Sequence, residues 1–367
     1  MRLGIAGALL ALAVAGLSSA WASRGGTGSS SSATSGDLYF TTFYPPAVER
    51  VHYSLVGGTL RMGRPDLVAR TGGADGLVFA PDGSLLVGGA GLGTVTDLSI
   101  GSGTRVTKSA GSQGAYHLAV SPDGRTLYTA GAPGKLVAMP LDPFGAGRLV
   151  QFRGEFPFLT ALAFGDGKVL ATSSTPAGTG SVFEVDLSAG RAAPIFEGIE
   201  GAHGIAYDTF SSSFILVGGD VVLQLSASNP SVIVSERTLP GTQLDQVALD
   251  GHGDAFLASN TGTLAVIAYA ATGRIGDLGD RTEQAWLARN LDDVAPLSGP
   301  GSPPVDHNAA PWLVVGGVAA VLFLVLLSWP MLSAAPGQLA RRRRQRQPRR
   351  RLPHWDRRRS SRFRKPI

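Results

Sequence analysis

The sequence predicts an all-β protein, a six-bladed β-propeller, followed by one C-terminal transmembrane α-helix. Three observations carry this reading. A unit made of an apolar strand, an Asp/Gly turn and a second apolar strand recurs five times along the 367 residues. A charge-free apolar run of membrane-spanning length stands near the C-terminus. Between the two ends, no window of adequate length keeps a 3.6-residue period free of Gly and Pro.

Composition sets the outer limits. With 44% hydrophobic and 16% charged residues the chain can bury a sizeable core. The 50 glycines are nearly twice the usual share and imply many tight turns. Having no Cys, the chain lacks disulfides, thiol catalysis, thiolate zinc sites and iron–sulfur clusters. The net charge of +5 hides two opposite objects: residues 340–367 carry 14 Lys+Arg and one acid, while the other 339 residues carry 18 basic and 26 acidic side chains, a net of −8. A nucleic-acid-binding role is therefore not expected of the acidic body.

From the N-terminus, Arg2, the apolar run Leu3–Leu17 and the small residues Ala20 and Ala22 read as a signal peptide over residues 1–22. An uncleaved signal anchor is the alternative, and either one exports the chain from residue 23 onwards. Residues 23–36 are rich in Gly, Ser and Thr and read as a flexible linker. Three strands precede the repeats, at Asp37–Tyr44, Val51–Val56 and Leu60–Met62.

The repeats begin GLVFAPDGSLLVGG at Gly76, HLAVSPDGRTLYTAG at His117, ALAFGDGKVLATSS at Ala161, GIAYDTFSSSFILVGG at Gly204 and QVALDGHGDAFLAS at Gln246. Aligned on Leu77, Leu118, Leu162, Ile205 and Val247, they step by 41, 44, 43 and 42 residues. That spacing fits a four-stranded propeller blade. A sixth inner strand, Asp293–Leu297, has no outer strands after it. Combined with the N-terminal strands, it gives a composite blade that closes the ring, so the propeller spans 37–298. Seven blades is the alternative, should the N-terminal strands be miscounted.

Residues 299–308 form a Gly/Pro linker, and 309–330 the transmembrane helix. The 21 uncharged residues Ala309–Trp329 make a helix of about 31 Å, flanked by Trp312 and Trp329, which matches a bilayer core. The Arg-rich segment 331–367 reads as a disordered cytoplasmic tail. By the positive-inside rule it places the propeller in the periplasm or at the cell surface, in a cell that is bacterial in character. Anionic lipid headgroups are the tail's expected partner, at about 1 kcal/mol per basic residue. An acidic or nucleic-acid partner in the cytoplasm is the alternative.

The repeats at Gly76, His117 and Gln246 resemble the six-bladed propellers of the gluconolactonase and regucalcin superfamily, and are similar to NHL and YVTN propeller repeats. The resemblance spans roughly residues 37–300 and implies a divalent cation, usually calcium, at the top of the central channel. Of the positions that it implies as ligands, Asp75-Gly76 replaces a Glu-Gly pair, Tyr116-His117 an Asn-Gly pair, and Ala130-Gly131 an Asp.

The residue two before each inner-strand reference position points to the channel mouth of such a ring. These residues are Asp75, Tyr116, Thr160, His203, Asp245 and Asp292, with His117 and Asp293 adjacent. Asp75, Asp245 and Asp292 would repel one another unless a cation or basic ligand neutralised them. The candidate metal ligands are Asp75, His203, Asp245 and Asp292, a set suited to calcium or magnesium, with manganese or zinc favoured by the imidazole. The turn residues Asp82, Asp123, Asp166, Asp208 and Asp250 recur in every repeat, which marks them as turn formers. Gly88–Gly93 lacks the following helix of a phosphate loop, and Asp250–Asp254 lacks the ligand series of an EF-hand.

The functional expectation is a membrane-anchored extracytoplasmic module that binds a ligand or a protein. The competing expectation is a metal-dependent hydrolase or lyase of the lactonase type, with its cation at the channel mouth.

Overall fold

The computed structural model describes residues 34–298, apart from 57–58, 112–113, 132–133, 154–157, 176–177 and 278–280. The expected signal peptide, transmembrane helix and basic tail lie outside the described residues. Among the described residues no helix is long and apolar enough to cross a membrane.

Six antiparallel sheets are present among the described residues. From the channel outwards, blade one comprises Leu77–Phe79, Leu85–Gly88, Thr94–Leu98 and Arg105–Ser109. Blade two comprises Leu118–Val120, Thr126–Gly131, Lys135–Pro140 and Arg148–Leu149. Blade three comprises Leu159–Gly165, Lys168–Ser174, Thr179–Asp186 and Arg191–Glu200. Blade four comprises Ala202–Asp208, Ser213–Gly218, Val221–Ser226 and Ile233–Thr238. Blade five comprises Leu244–Leu249, Asp254–Ser259, Thr263–Ala268 and Arg281–Trp286. Blade six is composite: Leu291–Ser298 is innermost, followed by Thr34–Thr42, Ala47–Val56 and Thr59–Met62, with Asp66–Arg70 also pairing with the third of these strands.

The second strand of a blade has a strand on each side and a blade on each face. It therefore reads as a continuous apolar run, such as Phe214-Ile215-Leu216-Val217, in which every residue is buried. The outermost strands touch solvent, and no residue of Arg281–Trp286 is buried. One apolar cluster fills each gap between neighbouring blades. Leu86, Leu127 and Met139 join blades one and two, and Leu136, Leu159 and Leu162 join two and three. Phe214 and Leu170 join three and four, and Ile215 and Leu257 join four and five. Phe40 and Phe256 join five and six, while Tyr39, Leu85 and Ala295 join six to one. Six interfaces close the ring, so the seven-bladed alternative falls.

Three details correct the sequence reading. The first strand starts at Thr34, so residues 34–36 of the expected linker are strand, paired as Thr34 with Leu55, Ser35 with Ser54 and Gly36 with Tyr53. That strand stops at Thr42 rather than Tyr44, and the next begins at Ala47 rather than Val51. The strand Asp66–Arg70 was not expected, because its mostly exposed residues carry no alternating apolar signal. The turn carboxylates behave as Asx formers at four of five positions. Asp82, Asp123, Asp208 and Asp250 accept backbone N–H bonds from Ser84, Arg125, Phe210 and His252 at 2.7–3.1 Å. Asp166 instead takes a positive φ of 50°.

Candidate functional site

Inner strands of a propeller run in the same sense around the axis, so the residues that begin them gather at one end of the channel. Asp75 and Tyr116–His117 immediately precede their strands, while Thr160, His203, Asp245 and Asp292–Asp293 lie in the first residues of theirs. Close approach at this end depends on glycine. A Cβ on Gly76 would lie 2.2 Å from the Tyr116 carbonyl oxygen, and one on Gly204 would lie 2.7 Å from Cα of Gln246.

A cavity of about 210 Å³ opens there, lined by Asp75, Tyr116, His117, Phe158, Leu159, Thr160, His203, Asp245 and Asp292. All six positions picked out by offset from the repeat therefore line one space, as does His117. Asp293 lies beneath the wall, fully buried. A second cavity of about 370 Å³ is lined mainly by apolar residues from all six inner strands, among them Phe79, Val120, Phe164 and Leu249.

The polar residues are tied into a chain. Asp293 Oδ2 accepts the Leu77 N–H at 3.0 Å, and its Oδ1 lies 2.9 Å from His117 Nδ1. Those two atoms lack hydrogen-bond alignment, so their contact is an ion pair. His117 Nε2 lies 2.9 Å from His203 Nδ1, which also stands 3.3 Å from Asp245 Oδ1. Asp245 Oδ1 accepts a hydrogen bond from Asn260 Nδ2 at 3.0 Å. Thr41 links two blades, accepting from the Asp293 N–H at 2.9 Å and donating to the Asp75 carbonyl at 2.8 Å. Thr160 donates to Thr172 Oγ1 at 2.9 Å, and Thr172 in turn donates to the His203 carbonyl, so these hydroxyls hold the backbone.

Burial and charge set the protonation states. Burial alone would depress the pKa of His117, but Asp293, Asp245 and Asp75 around it outweigh burial and hold it well above the usual imidazole value of 6.5. His203 is lowered, chiefly by desolvation, although its side chain is 31% exposed into the cavity. These directions favour the charged form of His117 and the neutral form of His203, and His203 Nδ1, which meets His117 Nε2, also lies 3.1 Å from the Asp245 carbonyl oxygen. Burial pushes Asp75 up to about 7, with Asp293 and Asp245 adding to the shift and His117 opposing it. Desolvation raises Asp292 well above 3.8, and the Asp75, Asp245 and Asp293 charges reinforce that. Asp292 Oδ2 has no hydrogen-bond partner.

Two trios of donor atoms lie within 4.8 Å of one another: His117, His203 and Asp245, and Asp245, Asp292 and Asp293. Three of the four expected metal ligands fall in these trios, and Asp75 belongs to neither. Sequence reasoning missed Phe158, Leu159, Thr41 and Asn260. Thr41 and Asn260 lie at or just past the ends of second strands, which finish at the same face as the first strands begin. Their signal was positional, not a repeated residue type.

No family model matches the sequence, nor does any curated protein. Among solved structures, the selenomethionine-substituted virginiamycin B lyase from Staphylococcus aureus is similar, with 11% identity over 69% of this chain and 83% of that one, at a TM-score of 0.46.

Proposed function

We propose that the protein is a membrane-anchored, extracytoplasmic propeller that works as a binding module, with a cation-recognising mouth at one end of its channel. One observation carries the reading. Asp292 is only 8% exposed, has an unpartnered carboxylate oxygen, and shares a cavity wall with Asp75 and Asp245, with no Lys or Arg among the described residues lining it. A positive ligand offsets both the repulsion and the desolvation of these carboxylates. The signal-peptide pattern, the apolar run at 309–330 and the basic tail support the membrane setting.

A second reading, the metal-dependent hydrolase or lyase of lactonase type, is favoured by the two tight donor trios. The residues fit a hard divalent cation such as calcium, because the donors are mainly carboxylate oxygens and one of them is unpaired. Asp75, His203, Asp245 and Asp292 would hold it, and when bound it would polarise an ester carbonyl or activate water. His117, paired to Asp293, would orient His203 from behind.

The test is titration calorimetry on the purified full-length protein in detergent, with calcium, magnesium, manganese, zinc and an alkylammonium salt. Binding of at least one cation, weakened about 10-fold or more in Asp292→Asn, is expected. No binding across the series sinks the reading. Lactone turnover that is lost with chelator and restored by metal would promote the second reading over the first.

A further inference from the structure

The cavity walls hold more than acids. Two aromatic rings, Tyr116 and Phe158, and the aliphatic Leu159 face the same space as Asp75, Asp245 and Asp292. Phe158 is 45% exposed, so its ring is open to a ligand in this space.

Most of the donors that could hold a metal are already engaged with one another. Asp293 is taken up by the Leu77 N–H and by His117, and Asp245 by Asn260 and His203. The facing nitrogens of His117 and His203 lie 2.9 Å apart, with a proton between them, so neither offers that lone pair. Two carboxylates on the cavity wall remain, Asp75 and Asp292, and Asp75 stands outside both tight trios. Calcium gathers its oxygens at about 2.3–2.6 Å around one point. Carboxylates on one wall beside aromatic side chains suit a cation whose N–H donors point in several directions and whose carbon stem needs an apolar wall.

We propose that the channel mouth binds an alkylammonium or alkylguanidinium group. Its charged head lies between Asp75 and Asp292 and against the Tyr116 ring, and its stem lies on Phe158 and Leu159. The inference rests on the cation-binding reading above and specifies its ligand. Two sources share the chemistry, a free small amine and a Lys or Arg side chain of another polypeptide.

The test is calorimetry on the full-length protein in detergent with n-butylammonium and agmatine, and with n-butanol as the uncharged counterpart. Both amines are expected to bind with a Kd of about 1 mM or tighter, and n-butanol not to bind. Asp292→Asn should weaken the amines about 10-fold or more. Phe158→Ala, at an exposed position that threatens no core, should weaken them about 2- to 5-fold and leave calcium binding unchanged. A capped lysine amide that competes at similar concentration makes a polypeptide side chain the source, and its exclusion makes the source a free amine. Calcium binding without amine binding overturns this inference and leaves the cation-binding reading standing. Amine binding indifferent to both substitutions also overturns it, by placing the amine elsewhere. No binding of any cation overturns both.

Discussion

Asp293 and His117 show how a single residue pair sets the character of the channel. Both are buried, and the Asp293 carboxylate at 2.9 Å, with Asp245 and Asp75 behind it, holds the His117 imidazole well above its usual value despite that burial. This environment fixes a pH signature for the cation-free protein. His117, Asp75 and Asp292 bind their protons more tightly in the folded than in the unfolded chain. Asp254 does so as well, raised to about 6 by burial and then by Asp250. A group of this kind contributes stability below its unfolded pKa and loses it as pH rises through the folded value. Asp75 sheds its share between 3.8 and about 7, and His117 sheds its share above 6.5. His203, shifted the other way, opposes this only just below 6.5. Denaturant midpoints taken in chelator are therefore expected to fall steadily from pH 5 to pH 8, more shallowly in Asp292→Asn. A midpoint that rises over that range would contradict the assigned protonation states. At this scale the sequence was legible where a residue kept step with the repeat: a fixed offset brought Asp75, Tyr116, Thr160, His203, Asp245 and Asp292 to one cavity. Phe158 and Asn260 were not legible, since a connecting segment and a second-strand end supply them without any recurring residue type.

At the scale of elements, ring closure depends on one strand drawn from the far end of the chain. Leu291–Ser298 pairs with Thr34–Thr42 over Gly36–Ser298, Leu38–Pro296 and Phe40–Val294, joining the two ends of the propeller. The strand from the N-terminus carries the larger side chains of the joint: Leu38, Tyr39 and Phe40 are all fully buried, in clusters with blades five and one. Phe40→Ala is expected to cost about 3–5 kcal/mol, a transfer loss plus a cavity against Phe256 and Val294. An exposed-ring control, Phe210→Ala, should cost well under 1 kcal/mol. Equal effects in guanidinium unfolding would mean that the closure is not where the fold is held. The composite blade was legible because an inner strand without outer partners and outer strands without an inner one imply each other. Its split edge was not. The ten-residue strand Ala47–Val56 is long enough to pair with both Thr59–Met62 and Asp66–Arg70. Pro65 lies in the break between those two, and neither has a fully apolar face to announce itself.

At the scale of the whole molecule, the acidic body and the Arg-rich end carry opposite net charge. A net of −8 on the first 339 residues and +13 on the last 28 would attract each other if both were free in one compartment. The proposed membrane orientation keeps them apart, with the basic end held against anionic headgroups on the cytoplasmic side. The absence of cysteine makes this directly measurable, because any thiol introduced is the only one present. Ser102 lies exposed in the connection between the third and fourth strands of blade one, and Ser360 lies in the basic segment. In intact cells with a permeabilised outer envelope, Ser102→Cys is expected to react fully with a membrane-impermeant maleimide. Ser360→Cys should react only after the inner membrane is lysed. The reverse pattern would invert the topology and bring the acidic mouth to the cytoplasm. Labelling of both without lysis would remove the membrane span and allow the basic segment to reach the mouth, making the chain's own arginines candidates for the cation that the mouth accepts.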